Sequence, residues 1–211
     1  MSHLEPIVMR GTVVQLEPLD ATHAADLRAA TEGDRSSFGF TNVPSGAAGA
    51  AAYISTLLAD REAGTALPFV QRRIADDTVV GCTRFMDVRW WAGHDDPVEV
   101  EVGGTWLTAD AQRTAINTEA KLLMLSHAFD VWRVHRVAIC TDARNDRSRR
   151  AIERIGGQFE GVLRNHRAAA GHLTDVGAPR DTACYSILPD EWPSVREALR
   201  ARLRASATDG R

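Results

Sequence analysis

The sequence is poor in lysine, cysteine and long apolar runs, and each shortage excludes a class of protein. Lys121 is the only lysine among 25 basic residues, which are outnumbered by 28 acidic residues, so the net charge is −3. A chain with that charge lacks the basic footprint of a general nucleic-acid-binding protein. No apolar run approaches the roughly 20 residues that cross a bilayer, so no membrane partner is expected.

The cysteines are few and far apart. Cys82, Cys140 and Cys184 are an odd number, each lies in a strand-like run, and no pair has the spacing of metal ligands. This pattern predicts free thiols in a reducing compartment and no metal site. The segment 1–6 has neither the basic stretch nor the apolar core of a signal peptide, so we expect a cytoplasmic protein.

The remaining composition is that of an ordinary globular chain. Hydrophobic residues make up 44% of the 211 residues and charged residues 25%, and no repeat or Pro/Gly/Ser-rich linker interrupts them. A length of this size fits one generous domain, so we predict a single domain over residues 1–211.

Apolar periodicity predicts a chain of about seven strands and five helices, an α+β composition. The predicted strands are 10–19, 67–74, 79–88, 98–107, 134–141, 158–164 and 181–188, and the predicted helices are 21–31, 46–63, 117–130, 146–155 and a C-terminal one that contains Trp192.

The clearest pattern lies in the strand 98–107. Its valines alternate with Glu99 and Glu101, which predicts one apolar face and one acidic face. The helix 117–130 and the strand 134–141 follow directly, and such a βαβ unit places its two strands parallel.

The turn before that helix is a candidate anion site. A helix N-terminus offers unpaired N–H groups and a positive dipole end, and Thr114, Asn117 and Thr118 can add side-chain contacts. Many helices begin with similar residues and bind nothing, so the turn by itself does not assign a function.

The segment from Glu101 through QRTAINTEAKLLMLSHAFD resembles the acetyl-CoA-binding core of the GCN5-related N-acetyltransferases (GNAT family). The match continues through TDARNDRSRRAIERIGGQFEGVLRNH, and it is closest to the RimJ/RimL-like branch of ribosomal-protein N-terminal acetyltransferases. It is specific over residues 98–193 and looser over 8–90. The resemblance implies a mixed, mostly antiparallel twisted sheet whose fourth and fifth strands are parallel and splay apart.

The resemblance also implies where acetyl-CoA, the co-substrate, would bind. Its pantetheine would pair along Trp106 and Leu107, with Asn145 hydrogen-bonding this region and Ser148 near the sulfur. Its pyrophosphate would contact the turn formed by Gln112, Arg113, Thr114, Ala115, Ile116, Asn117 and Thr118. Ala115 and Asn117 stand where the family usually has glycine, which keeps open a non-catalytic acyl-CoA-binding module as the alternative function.

The implied reaction is attack of a neutral amine on a thioester, for which a positioned base and a donor to the departing thiolate are useful. Glu101 is the first candidate base and Glu99 the second. The alternative is that both carboxylates form only the solvated side of a half-buried strand. Ser148 is the candidate donor, although a serine in a first helical turn is commonly a local cap partner.

Weaker candidates surround these residues. His94 could act as a base but fits a surface loop, and Trp90 and Trp91 could wall an acceptor pocket but fit the core. His166 and Arg167 follow a predicted strand and could face the substrate.

The acceptor is predicted to be a primary amine. An α-amino group is roughly 20% neutral near pH 7.4 and a lysine side chain about 0.1%, so a modest base favours a peptide N-terminus. Small-molecule amines and longer acyl donors such as succinyl-CoA remain open, and relatives suggest a possible homodimer. The acidic run from Asp95 to Glu101 would attract a cationic acceptor.

Overall fold

The computed structural model describes residues 4–209, which form one sheet of eight strands with helices on both faces. Residues 1–3, where the segment searched for a signal peptide begins, and residues 210 and 211 lie outside this description. The strands are β1 (Met9–Arg10), β2 (Val14–Pro18), β3 (Ala66–Arg73), β4 (Thr78–Arg89), β5 (Glu99–Leu107), β6 (Arg136–Asp142), β7 (Gln158–Ala168) and β8 (Pro179–Ile187). The helices are α1 (Ala24–Thr31), α2 (Gly46–Glu62), α3 (Ala115–Ser126), α4 (Asp146–Arg154) and α5 (Trp192–Asp209).

The sheet is mixed and mostly antiparallel, as the sequence predicts. Its strand order is β1-β2-β3-β4-β5-β6-β8-β7, and β5 and β6 are its parallel pair. Eight strands replace the predicted seven because the first predicted strand turns after Arg10. The amide of Gly11 donates to the carbonyl of Val14 at 2.9 Å, and this turn divides the segment into β1 and β2.

Apolar side chains form a cluster on each face of the sheet. Val100 and Val102 point toward α3 and α5, where they meet Met124, Leu125 and Leu199. On the opposite face a smaller cluster lies against α1 and α2, and it contains Leu27, Ile54, Leu57, Val70, Cys82 and Trp106. The period-two prediction for β5 is therefore confirmed at its N-terminal end, where the valines are buried.

A β-bulge interrupts β5 in its middle. Cys82 of β4 pairs with Trp106, whereas Arg84, two residues later, pairs with Gly103, so β5 contains one extra residue. Gly104 takes a φ of 58°, in the left-handed region that glycine enters without strain. The bulge reverses the alternation of the strand, and Trp106 therefore lies on the same face as Glu101.

The parallel strands separate soon after they meet. Their pairing extends from Glu99 with Arg136 to Glu101 with Ala138, but β5 continues to Leu107 and β6 to Asp142. Beyond the last pair each strand keeps its outer antiparallel neighbour, β4 for β5 and β8 for β6. The result is a wedge-shaped slot in the middle of the sheet.

Within residues 4–209 no helix combines the length and the apolar character that a membrane span requires.

Candidate active site

In the slot between β5 and β6, the backbone edges of the two strands that face each other are no longer paired. In a sheet, an N–H or C=O group without a neighbouring strand needs another hydrogen-bond partner or water. An extended ligand with alternating amide groups can satisfy β5 between Val102 and Leu107 in the way an added strand would.

The turn that leads from β5 into α3 lies at the end of this slot. Thr114 is the N-cap of α3, and its hydroxyl accepts from the amide of Ile116 at 3.3 Å. Arg113, just before the cap, has a φ of 62°. The other first-turn N–H groups have no partner inside the helix, and a helix end of this kind can accommodate an anion.

The backbone of this turn does not require glycine at positions 115 and 117. Ala115 is the first residue of α3 and Asn117 lies in its first turn, so both have ordinary helical backbone. The left-handed conformation falls instead on Arg113. The Oδ1 atom of Asn117 is buried without a hydrogen-bond partner among the described residues, which leaves an acceptor available near the turn.

Gln112 and Arg147 link the β5–α3 turn to the start of α4. The amide nitrogen of Gln112 donates to the carbonyl of Leu107 at 2.8 Å and to the hydroxyl of Ser37 at 2.7 Å. Arg147, at the start of α4, donates to Oε1 of Gln112 at 3.2 Å and to the carbonyl of Ser37 at 2.7 Å. The start of α4 therefore faces the β5–α3 turn.

Asn145 and Ser148 lie together at the N-terminus of α4, directly after β6. Asn145 is the N-cap, as its position in the sequence predicts, and its Oδ1 atom accepts from the amide of Ser148 at 3.1 Å. This contact is the local capping interaction considered in the sequence analysis. It occupies the side-chain oxygen of Asn145 and the amide of Ser148, and it does not involve the serine hydroxyl.

A cleft of about 240 Å³ lies beside the splayed strands. Glu101 and Glu99 both line it, so the prediction that they share a face is confirmed. Only 4% of the surface of Glu101 is exposed, and its two carboxylate oxygens accept from Arg167 at 2.9 and 2.7 Å. Arg167 also contacts the carboxylate of Asp87. The candidate base is thus held as a bidentate ion pair.

Glu99 is also paired. It lies 3.2 Å from the guanidinium of Arg136 and 3.7 Å from that of Arg89, and Arg136 in turn contacts Glu160. Four carboxylates and three guanidinium groups line the cleft. Of the acidic run from Asp95 to Glu101, Glu99 and Glu101 therefore line the cleft, and each is paired with arginine.

Two cysteines complete the cleft wall. Cys140 of β6 and Cys184 of β8 pair in register, their sulfur atoms are 3.6 Å apart, and both are free. Burial, together with the negative charge of Glu101, raises the pKa of Cys140 above its usual range, so this thiol stays protonated. Cys82, in contrast, is buried in the cluster under α1 and α2.

The weaker candidates divide into two groups. His166 and Arg167 line the cleft with Glu101, as considered from the sequence. His94 and Trp91 lie outside it and form an aromatic cluster in which Trp91, 58% exposed, stacks on His135 at 5.4 Å. Trp90 is half-buried against the core.

Sequence reasoning missed several residues that the fold brings to the site. Asp87, Arg136 and Cys184 line the cleft, and Ser37 contacts the turn from a segment 75 residues before Gln112 in the chain. No local motif identifies them, because each is recruited through strand register or loop packing. Among residues 4–209 no group of three or more His, Cys, Asp or Glu side chains could hold a metal ion.

Comparison with known proteins identifies the family. The model of the acetyltransferase (GNAT) domain matches residues 14–158, which is more than half of the chain. The chain belongs to the GNAT family of acetyltransferases. The mixed sheet with its splayed parallel strands is thus a GNAT fold.

Individual relatives agree with this assignment. A GNAT protein from Brucella melitensis is 29% identical, with a TM-score of 0.80 over 95% of this chain and 86% of its own. The Bacillus subtilis protein YdaF, provisionally named a ribosomal N-acetyltransferase, is 34% identical over 89 residues, which is 42% of this chain and 45% of its own length. The fold is also shared with Mycobacterium smegmatis RimJ in complex with CoA-disulfide, 24% identical with a TM-score of 0.67 over 94% of this chain and 93% of its own.

Proposed function

We propose that this chain is a cytoplasmic N-acetyltransferase that moves an acetyl group from acetyl-CoA to a primary amine, with residues 1–211 acting as one domain. The observation that carries the proposal is the slot between β5 and β6, which ends at the N-terminus of α3 and adjoins the cleft of Glu101. A strand-like chain, an anion and an amine each have a complementary surface there.

The residues present fit acetyl-CoA. The unpaired backbone of β5 at Trp106 and Leu107 suits the amides of pantetheine, and the first turn of α3 suits the pyrophosphate. When bound, acetyl-CoA supplies an activated acyl group on a thiolate leaving group. The residues proposed to hold it are Trp106, Leu107, Gln112, Arg113, Thr114, Ala115, Ile116, Asn117, Thr118, Asn145 and Ser148.

Glu101 is the proposed general base, and its ion pair defines how it acts. Both carboxylate oxygens of Glu101 accept from the guanidinium of Arg167, which fixes the orientation of the carboxylate in the cleft. Because both oxygens are occupied, we propose that Glu101 takes the proton of the amine through a water molecule. Such a base is modest, so it suits an amine that is already partly neutral.

Ser148 is the proposed donor to the departing thiolate. Its amide is held by Asn145, which fixes the first turn of α4 at the edge of the slot. A hydroxyl in this position can donate to a thiolate as negative charge develops there.

A protein N-terminus is the favoured acceptor. An α-amine is roughly 20% neutral near pH 7.4 against about 0.1% for lysine, so it makes the smaller demand on the base. The name of YdaF, which refers to a ribosomal N-acetyltransferase, supports this preference. Small-molecule amines are the second acceptor class.

The experiment has a binding stage and a turnover stage. Calorimetry with acetyl-CoA should give saturable binding, and free-thiol release should follow with a panel of peptide N-termini, lysine peptides and small amines. Succinyl-CoA in place of acetyl-CoA tests the donor. If millimolar acetyl-CoA produces neither heat nor a thermal shift, the proposed co-substrate is wrong.

A non-catalytic acyl-CoA-binding module is the second candidate, and the buried Glu101–Arg167 pair favours it, since both oxygens of the base are engaged. Saturable acetyl-CoA binding without thiol release across the whole acceptor panel would select this function. Thiol release that depends on an amine would exclude it.

A further inference from the structure

The only lysine of the chain is buried on the face of β5 opposite the cleft. Lys121 lies on α3 and is 5% exposed. Its Nζ atom donates to the hydroxyl of Thr105 at 2.7 Å and lies 3.4 Å from the hydroxyl of Thr83. A buried ammonium normally has an ionic partner, because an uncompensated charge is expensive away from water.

Lys121 has no such partner among residues 4–209. From the elements packed against it, β4 contributes Thr83, β5 contributes Thr105, and α3 contributes Met124, whose sulfur contacts Thr83. Burial is the sole cause that lowers the pKa of Lys121, to about 7, so no charged group acts on it appreciably. The ionisable neighbours on α3 face elsewhere: Glu119 contacts the β1–β2 turn and His127 packs on Phe85 and Trp132.

The two hydroxyls that contact Lys121 lie at the β5 bulge, Thr105 within it and Thr83 opposite it on β4. Thr105 and Thr83 are 2.8 Å apart, and the hydroxyl of Thr83 lies 3.5 Å from the carbonyl of Gly103. A chain of hydrogen bonds therefore runs from Lys121 through both threonines to the first residue of the bulge. The bulge separates Glu101 from Trp106 and Leu107, that is, the proposed base from the strand proposed to bind pantetheine.

The bulge leaves little room for adjustment on its other side. A Cβ atom at Gly104 would come within 2.8 Å of Nε of Arg84, and one at Gly103 would come within 2.9 Å of Oε1 of Glu101. Its backbone is thus confined between the cleft groups and the threonine hydroxyls. A shift of the hydroxyls would move Gly103 against Glu101.

We propose that Lys121 is a positioning residue for acetyl transfer: through Thr105 and Thr83 it fixes the bulge Gly103–Thr105 and so sets the distance between Glu101 and the bound thioester. This role rests on the proposed function. Lys121 lies on the helix whose N-terminus is proposed to hold the pyrophosphate, so one element fixes both the co-substrate and the strand that presents the base.

The test compares Lys121→Met, which removes the donor, with Lys121→Gln, which keeps an N–H donor that does not titrate. Thr105→Val removes the receiving hydroxyl from the other side. For each variant, kcat and the KM for acetyl-CoA are measured between pH 5.5 and 9.5, and thermal unfolding at each pH establishes that the variant is folded.

Loss of the donor should lower kcat by about tenfold to a hundredfold, the range for a misplaced reacting group, while KM changes much less. Thr105→Val should reproduce this loss, Lys121→Gln should recover part of it, and both lysine variants should lose an ionisation near neutral pH that the wild type shows. Folded Lys121→Met that keeps the kcat and pH profile of the wild type would overturn the proposal.

A second readout needs no substitution. Protein grown with ε-¹³C-lysine gives one side-chain NMR signal, because the chain has one lysine. We expect this signal to titrate near neutral pH and to shift when acetyl-CoA is added. A signal that titrates near pH 10 and ignores acetyl-CoA would contradict the role of Lys121 even if turnover is observed. Absence of both binding and turnover in the wild type would instead refute the proposed function, and the positioning role with it.

Discussion

The two faces of β5 accommodate buried charge in different ways. On the cleft face Glu101 is paired in bidentate fashion with Arg167, and Glu99 is flanked by Arg136 and Arg89. On the opposite face, which packs on α3, that helix carries two buried ionisable groups, Glu119 and Lys121. Neither has an ionic partner among residues 4–209.

The difference concerns what compensates each charge. The cleft uses ion pairs between carboxylates and guanidinium groups. Glu119 instead accepts from the amides of Thr12, Val13 and Val14 at 2.7 to 2.9 Å. Lys121 has only hydroxyl partners, and burial lowers its pKa to about 7. The cleft face thus compensates charge with opposite charge, whereas the face that packs on α3 compensates it with amides and hydroxyls alone. Four predictions test this contrast.

Glu101→Gln should have the largest effect. Removing the proposed base while keeping its shape should lower kcat/KM by about 10²- to 10⁴-fold, because a positioned base contributes that much. Glu99→Gln, on the same face of the same strand, is the matched control and should cost much less. A larger loss for Glu99→Gln would transfer the role of base to Glu99.

Arg167→Met should destabilise the fold as well as impair turnover. Glu101 would remain buried without its cation, and breaking a buried pair from one side costs about 3 to 5 kcal/mol of unfolding free energy. Urea unfolding measures the loss. In the double variant Glu101→Gln/Arg167→Met the loss should be smaller than the sum of the two single losses. Additive losses would show that the pair is not coupled.

Stability should rise with pH on account of Lys121. Folded Lys121 releases its proton with a pKa of about 7, whereas the unfolded chain keeps it to about 10.4, so between these values the unfolded state binds more protons. Below pH 7 Lys121 is protonated in both states, and the folded state bears the full cost of burying its charge. Relative to Lys121→Met, the free energy of unfolding of the wild type should increase by a few kcal/mol between pH 7 and 10, at about 1.4 kcal/mol per pH unit. Parallel stability curves for the two proteins would refute this.

Glu119→Gln should have the smallest effect, and its pH dependence should fall in the acid range instead of above pH 7. Burial alone would raise the pKa of Glu119, but the hydroxyl of Thr12 and the amides of Thr12, Val13 and Val14 together lower it. Its stabilisation is therefore present above the unfolded pKa of about 4.3 and is lost as pH falls through the folded value. We expect a cost of about 1 to 2 kcal/mol at pH 7 that shrinks in acid. The exposed Glu62→Gln is the control, and an unchanged cost at low pH would contradict the account.

The sequence predicts the sheet well where local pattern decides the outcome. The alternation of Val98, Val100 and Val102 with the glutamates specifies the buried face of β5, and Asn145 marks the start of α4. The parallel βαβ unit follows from the length of its connection.

The sequence does not reveal what depends on register. Strict alternation from Glu101 places Trp106 on the face that packs on α3. The bulge instead turns Trp106 to the opposite face, where its indole N–H donates to the hydroxyl of Tyr53 at 3.2 Å. The arginine partners of the carboxylates come from β4, β6 and β7, and only the fold brings those strands together. The candidate site is therefore predictable as a list of residues, but its ion pairing is not.

A crystal structure with bound acetyl-CoA tests the central claim most directly. We predict ligand density in the slot between β5 and β6, with amide groups along Trp106 and Leu107, phosphate oxygens at the first turn of α3, and the acetyl group on the side of Glu101. Density for acetyl-CoA at any other surface, with the slot closed and β5 paired to β6 beyond Glu101, would contradict the account.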